Sequence, residues 1–285
     1  MKKTLILDCN NLCYSAFHTF GELSFEEKKV GVIFGFLQRI LFLANKFETT
    51  KFIFCWDSKK NYRKILYPEY KANRRRDLTP QEEIDYALAF KQFDALRKEV
   101  LPKLGFANIL QQNGYEADDL LAEIVLKTEG DFIIVSTDKD LYQLLNRCDI
   151  YNQKTKKIIT AIDFKNTYDI DCSYWVQAKS LMGDAGDNIP GISGVGVAKA
   201  IQHIKDKLPD GVIRNRILSK ESEEIVIRNT KLIKLPLKRR KKIKINLQED
   251  TFNRDKFIDV FVDFGFESFL RKKALEKWVD IFVNN

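Results

Sequence analysis

The sequence predicts an α/β domain, a mostly parallel sheet flanked by helices, followed by a helical region. Three observations lead there. Apolar strand-like runs alternate with amphipathic segments through the first 170 residues. Three of those runs lead into aspartates: KTLILD (3–8), KFIFCWD (51–57) and DFIIVSTDKD (131–140). From about residue 172 strand signals fade and helical spacing takes over.

The elements follow in order. A strand over 3–8 precedes a helix over 30–47, where Phe34, Leu37, Leu41 and Ala44 recur at helical spacing. A strand over 51–57 comes next. Residues 80–101 read as a helix that opens with Pro80 and acids, a favoured amino-terminal pattern. Residues 106–112 form a short strand, and 116–128 a helix burying Leu120, Leu121, Ile124 and Val125. Strand 131–136, helix 140–146 and strand 149–152 complete the alternation. The second half carries helices over 173–183 and 197–204, near 221–233, and over 255–264 and 268–282. A soft boundary near 170 divides the chain into 1–170 and 171–285.

Composition narrows the class. With 45% hydrophobic and 31% charged residues in 285, the chain can bury a sizeable core and is not disordered. No run approaches the ~18 apolar residues of a membrane span, and Asp8, Asn10 and Asn11 interrupt the first apolar run too early for a signal peptide. Cys9, Cys13, Cys55, Cys148 and Cys172 are an odd number without a nearby histidine, so they read as free buried thiols of a reducing compartment, the cytoplasm. His18 and His203 read as structural or surface residues.

Nine acids carry the chemical signal: Asp8, Asp57, Glu116, Asp118, Asp119, Asp138, Asp140, Asp184 and Asp187. Taken singly, Asp8 and Asp57 suit turns, Asp138 suits a helix cap, and Glu116, Asp118 and Asp119 suit a first helical turn. On an ideal helix Glu116 and Asp119 share a face and Asp118 points elsewhere. Several strands ending the same way place the acids together at one sheet edge, where open α/β sheets bind ligands. Carboxylates crowded at 5 Å repel by ~3 kcal/mol per pair at an effective dielectric of 20. Hard cations such as magnesium or manganese would neutralise such an all-oxygen cluster. Yet the net charge is +8. An acidic pocket in a basic protein points to a metal site presented to a polyanion, nucleic acid above all.

The basic residues are also patterned. Residues 59–76 hold Lys59, Lys60, Arg63, Lys64, Lys71, Arg74, Arg75 and Arg76 against one acid, Glu69, with Tyr62, Tyr67 and Tyr70 interleaved. Cations for phosphate and rings for bases suggest nucleic-acid contact beside the acidic edge. A second run, KRRKKIK (238–244), reads as an exposed loop or edge able to touch duplex backbone. Between Asp187 and the helix from Val197, the glycine-rich stretch 191–196 offers free backbone amides to an anion, or simply a tight turn.

Taken together, LILDCNN (5–11), YPEYKANRR (67–75), GYEADDLLA (114–122), STDKDLYQL (136–144) and GDAGDNIPGISGVGVAKA (183–200) resemble the motifs of the 5′-nuclease (flap endonuclease) superfamily, in order and over essentially the whole chain. The likeness is greatest to free-standing bacteriophage 5′-to-3′ exonucleases and the amino-terminal nuclease domain of bacterial DNA polymerase I. The resemblance implies a PIN-like nuclease domain followed by a helix–three-turn–helix DNA-binding element. It implies two Mg²⁺ or Mn²⁺ ions: Asp8, Asp57, Glu116 and Asp118 match the first ion's surroundings, with Asp119 in or near them. Asp138, Asp140, Asp184 and Asp187 match the second, with Asp118 as a candidate bridge. Lys71 matches the family's catalytic lysine, Arg74 its partner arginine, and Tyr70 a stacking or gateway tyrosine. Residues 71–100 correspond to a helical arch. Arg75, Arg76, Gly191, Ser193, Gly194, Val195, Gly196 and Lys199 fall in DNA-contacting segments, and the 191–196 turn to one where relatives hold K⁺ by carbonyls. The implied activity is 5′-3′ exonuclease and 5′-flap endonuclease on DNA, with RNA–DNA hybrids as a further substrate class. The protein would act as a monomer in the cytoplasm, the host's if phage-encoded. Two alternatives stand beside it: a non-catalytic DNA-structure-binding protein of the same fold, and a PIN-type ribonuclease.

Overall fold

The computed structural model describes residues 3–74, 78–239 and 242–284. Strand β1 (Thr4–Asp8) runs directly into α1 (Cys9–Phe20). Helix α1 carries little propensity signal, because Asn10, Asn11, Ser15 and Thr19 are weak helix formers. It forms because Asp8 caps it, accepting from the Asn11 amide at 3.1 Å, and because Cys9, Leu12, Cys13 and Ala16 bury one face. A small hairpin, β2 (Ser24–Phe25) and β3 (Lys28–Lys29), leads to α2 (Gly31–Phe47).

After β4 (Phe52–Trp56) come the short α3 (Arg63–Leu66) and the long α4 (Pro80–Ala95). Thr79 and Glu82 close α4 with a capping box. Farther along α4, Gln92 Oε1 accepts from the Val32 amide at 2.9 Å and so satisfies the start of α2. The helix continues as a π-helical turn (Leu96–Val100) into α5 (Leu101–Leu104). Pro102 has no amide to donate four residues back, and the Leu101 amide reaches Leu96 O.

Then follow β5 (Ile109–Gln111), α6 (Ala117–Lys127), β6 (Phe132–Val135), a 3₁₀ turn (Lys139–Leu144) in place of the expected helix 140–146, and β7 (Asp149–Asn152). Strand β8 (Lys157–Ile159) and α7 (Ala161–Tyr168), both short, lie outside the predicted elements. Past a 3₁₀ turn (Cys172–Tyr174), the second half contains α8 (Trp175–Met182), the two-residue strands β9 (Gly183–Asp184) and β10 (Ile189–Pro190), α9 (Val197–Ile204), α10 (Val212–Ile217), α11 (Lys220–Ile233), α12 (Arg254–Asp263), α13 (Glu267–Leu270) and α14 (Lys272–Phe282).

The main sheet has the order β5-β4-β1-β6-β7-β8, parallel except for β8. Chain order reverses between β1 and β6, so a crevice opens at the carboxyl ends of β1, β4 and β6. That is where Asp8, Asp57 and Asp138 emerge. One face of the sheet packs on α1, α2 and α4, and helices α12–α14 return to join that core. The other face packs on α6, α8 and α9. No helix among the described residues is long and apolar enough to cross a membrane.

The returning helices seal the first core with an aromatic cluster. Trp278 is fully buried, with the rings of Phe257, Phe261 and Phe282 centred 5.5, 5.4 and 5.4 Å away. Trp278→Ala is expected to destabilise the fold by about 3–5 kcal/mol, read as a lower midpoint in urea unfolding.

Candidate active site

Local structure fixes each acid. Asp8 ends β1, and its second carboxylate oxygen accepts from the Ser136 hydroxyl at 2.9 Å. Asp57 follows β4; its amide donates to Asn10 Oδ1 at 3.1 Å, and its Oδ1 accepts from the Ala117 amide at 2.8 Å. Glu116 stands at the amino end of α6, with Asp118 in the first turn. Asp138 caps the 3₁₀ turn by accepting from the Asp140 amide at 2.7 Å. Asp184 lies in β9 and accepts from the Asp187 amide at 3.1 Å in the tight β9–β10 turn.

Two electrostatic classes result. Asp8, Asp57, Asp118 and Asp138 have no ion pair among the described residues. Burial pushes the Asp8 carboxyl up to about 7, helped by Asp57 and Asp138. Burial and then Glu116 raise Asp57. Burial, followed by Asp138, Asp8 and Glu116, raises Asp118 strongly. Burial also raises Asp138, with Asp187 adding repulsion.

The second class carries its own cations. Burial opposes ionisation at Glu116, but Lys71 and Arg63 hold its carboxyl below the usual range. Lys71 Nζ pairs with Glu116 and lies 3.6 Å from Asp187, while Arg74 pairs with Asp187 at 2.6 Å. The buried Lys179 ammonium joins Asp140, at 2.7 Å, to Asp184. It keeps Asp184 low against burial, whereas burial and Asp138 still lift Asp140 to about 6. Among the described residues no three Asp, Glu, Cys or His side chains converge on one point as a closed metal cage. The acids are electrostatic neighbours spread across one crevice. Their donor set is nevertheless all carboxylate and under-neutralised, which fits hard divalent ions.

This repulsion has a measurable sign. In EDTA, Asp8 stays protonated in the folded state up to about pH 7, whereas the unfolded carboxyl ionises near 3.8. Its contribution is full below the unfolded value and lost as pH rises through 7, on the order of 4 kcal/mol. Thermal unfolding in EDTA should show a lower Tm at pH 7.5 than at pH 5.

The model of the 5′-3′ exonuclease N-terminal resolvase-like domain matches residues 3–169. The chain belongs to the 5′-3′ exonuclease family. The 5′-3′ exonuclease of Buchnera aphidicola subsp. Schizaphis graminum is 32% identical, over 85% of this chain and 82% of that protein. That of Bacillus subtilis (strain 168) is 33% identical, over 72% and 70%. Thermostable DNA polymerase I of Thermus aquaticus matches at 33% identity over 68% of this chain but 23% of its own length. Among solved structures, the T5 D15 protein co-crystallised with metal ions shares the fold with a TM-score of 0.70, at 24% identity and 98% coverage of both chains. The catalytic core of Rad2 in complex with DNA substrate aligns with a TM-score of 0.57 at 15% identity, over 100% of this chain and 92% of that one.

Within this exonuclease family member, several sequence-based expectations need correction. Asp119 does not face the crevice. It is fully buried, holds both amino groups of the Arg63 guanidinium at 2.7 and 2.8 Å, and accepts from the Leu237 amide at 2.8 Å. Arg63, read as part of a DNA-facing basic run, is itself only 2% exposed. Helical geometry explains both: Glu116 is the cap and not a helical residue, so Asp118, not Asp119, turns toward the other acids. Tyr70 is also buried, at 3% exposure, and cannot stack on a base; its hydroxyl lies 2.9 Å from both Glu116 and Asp187.

At the glycine-rich turn, the Ser193 and Gly194 carbonyls already accept from Arg216, at 2.6 Å, and Lys199, at 3.0 Å. A K⁺ ion held by those carbonyls would have to displace both. Gly191 passes so close to the Met182 backbone that a Cβ would overlap it, and Gly194 takes a positive φ of 79°. Val195 is buried, and Gly196 caps α9. Arg75 and Arg76 lie outside the described residues. Sequence reasoning missed Lys179; its one signal was a lysine five residues before Asp184, on a helix aimed at the acids.

Proposed function

We propose that this exonuclease family member hydrolyses phosphodiester bonds of DNA at 5′ ends and 5′ flaps with two divalent ions, Mg²⁺ or Mn²⁺. The carrying observation is the set of acids, Asp8, Asp57, Asp118 and Asp138, crowded at the reversal point of the sheet with no ion pair among the described residues, and with Lys71 and Arg74 beside them. On this reading Asp8, Asp57, Glu116 and Asp118 hold the first ion. Asp138, Asp140, Asp184 and Asp187 hold the second, and Asp118 borders both. When bound, such ions lower the pKa of a water and stabilise the attacking and leaving oxygens of an in-line displacement.

The chain's own groups do the rest. Lys71 and Arg74, now on Glu116 and Asp187, turn to the scissile phosphate as its charge grows. Tyr70 orients Glu116 and Asp187 by its hydroxyl. Lys179 keeps Asp140 and Asp184 ionised and must yield part of their charge. The 191–199 segment grips duplex backbone through Lys199 and backbone amides, without K⁺ as a requirement. RNA–DNA hybrids are a second substrate class, and the protein acts as a monomer in the cytoplasm. Supporting the reading, solved relatives of this fold include a T5 flap endonuclease complex with DNA and metal ions, a T5 5′-exonuclease with bound zinc, and GEN1 on Holliday junction DNA.

The deciding experiment is a product-length assay on a 5′-labelled flap duplex. Short products near the junction in Mg²⁺, and none in EDTA, are expected. Tight flap binding without cleavage in Mg²⁺ or Mn²⁺ would instead indicate a DNA-structure-binding protein, and preference for a single-stranded RNA substrate a ribonuclease.

A further inference from the structure

The two basic runs, far apart in sequence, meet on one flank of the sheet. Two sets of contacts bring them to residues 112–115, just after β5. From the first run, the Tyr62 amide donates to Gly114 O at 2.9 Å, and the Ser58 amide just before the run donates to Tyr115 O at 3.2 Å. From the second, the Gln112 side-chain amide donates to Lys242 O at 3.1 Å and accepts from the Lys244 amide at 3.0 Å. The Arg239 guanidinium then lies over the Tyr62 ring, 3.9 Å from its centre. Gly114 permits the junction, because a Cβ there would overlap that ring and its φ is 91°.

The result is a contiguous basic surface carrying Lys59, Lys60, Lys64, Arg239, Lys242 and Lys244, all exposed. Among the described residues no carboxylate is paired with any of them. Six unpaired cations repel one another, so holding the runs together is unfavourable unless an anion is shared. We propose that this face binds the phosphate backbone of duplex DNA, on the β4–β5 side of the acidic crevice. Duplex is favoured over single strand because the aromatic ring present is already covered: Arg239 lies on a face of Tyr62 and Tyr115 packs edge-on at 5.5 Å. Among the described residues of this face no uncovered ring is left to stack on unpaired bases. The proposal rests on the reading of the chain as a DNA nuclease.

The test is the quadruple variant Lys59→Gln, Lys60→Gln, Lys242→Gln, Lys244→Gln, which leaves the Arg239–Tyr62 contact in place. Kd for a flap duplex is measured in EDTA from 50 to 200 mM KCl. Each lost phosphate contact lowers the salt slope by about 0.9, so the unmodified protein should weaken ~100-fold more than the variant over that fourfold rise. Single-turnover cleavage at saturating variant should match the unmodified protein, and its thermal unfolding should stay cooperative. An unchanged salt slope in a folded variant overturns the proposal. Failure of the nuclease reading would appear separately, as absent Mg²⁺-dependent cleavage by the unmodified protein.

Discussion

Lys71→Ala slows single-turnover cleavage by about 10²–10³-fold while changing flap-duplex affinity by less than about tenfold. The asymmetry comes from where Lys71 stands. Its ammonium is paired with Glu116 and lies 3.6 Å from Asp187, with its side chain 18% exposed. Burial opposes its charge, but Glu116 and Asp187 outweigh burial and hold its proton more firmly than on a free lysine. The group therefore stays cationic throughout the working pH range and is not a general base. Its use is electrostatic, at the point where phosphate charge grows in the transition state. The backbone adds a constraint: Lys71 has φ 56°, and its amide donates to Asp187 O at 2.8 Å, so the turn 71–74 is fastened to the β9–β10 turn. Lys71→Arg should recover only part of the rate, because the planar fork cannot copy a point charge in that space. Equal loss in binding and turnover would place Lys71 in ground-state DNA recognition instead. Wild-type turnover in the alanine variant would remove it from the reaction.

Much of this site was legible because its logic is local. An apolar run ending in aspartate, repeated on β1 and β4, needs only hydrophobic burial and the parallel order to bring Asp8 and Asp57 together. The same reasoning placed α2, α6 and β6 within a residue or two. It failed where tertiary contacts decide. The α1 helix depends on a cap supplied by the strand before it. Short α7 and the three-residue β8 carry little periodic signal. Arg63 looked like one more cation in a basic run because nothing local shows that Leu232 O, Glu116 and Asp119 will meet it in the interior. Tyr70 looked like a base-stacking ring because its partners, Glu116 and Asp187, lie 46 and 117 residues away. Charge and ring type were read correctly; direction was not, and direction is set by the fold.

Asp118 and Asp119 are adjacent acids whose removal should have opposite effects on stability. Asp118 is repelled by Asp138, Asp8 and Glu116 and has no ion pair among the described residues. Asp118→Asn keeps the shape and deletes the repulsion, so in EDTA at pH 7.5 the variant should melt a few °C higher than the unmodified protein. The same change removes a carboxylate proposed to border both ions, so Mg²⁺-dependent cleavage should fall by about 10³-fold, and Mg²⁺ should raise its Tm less. Asp119 is the reverse case. Its bidentate pairing is the main counter-charge of a guanidinium that is itself 2% exposed. Asp119→Ala strands that charge in the interior and releases the Leu237 amide as well. Breaking a buried pair from one side is worth about 3–5 kcal/mol of stability. Whatever fraction of that variant remains folded should keep much of its turnover, with Mg²⁺ still required. Parallel unfolding and cleavage measurements on the two variants separate functional repulsion from structural pairing. A stabilised, fully active Asp118→Asn protein would remove Asp118 from the reaction and leave the crowded crevice without a chemical purpose.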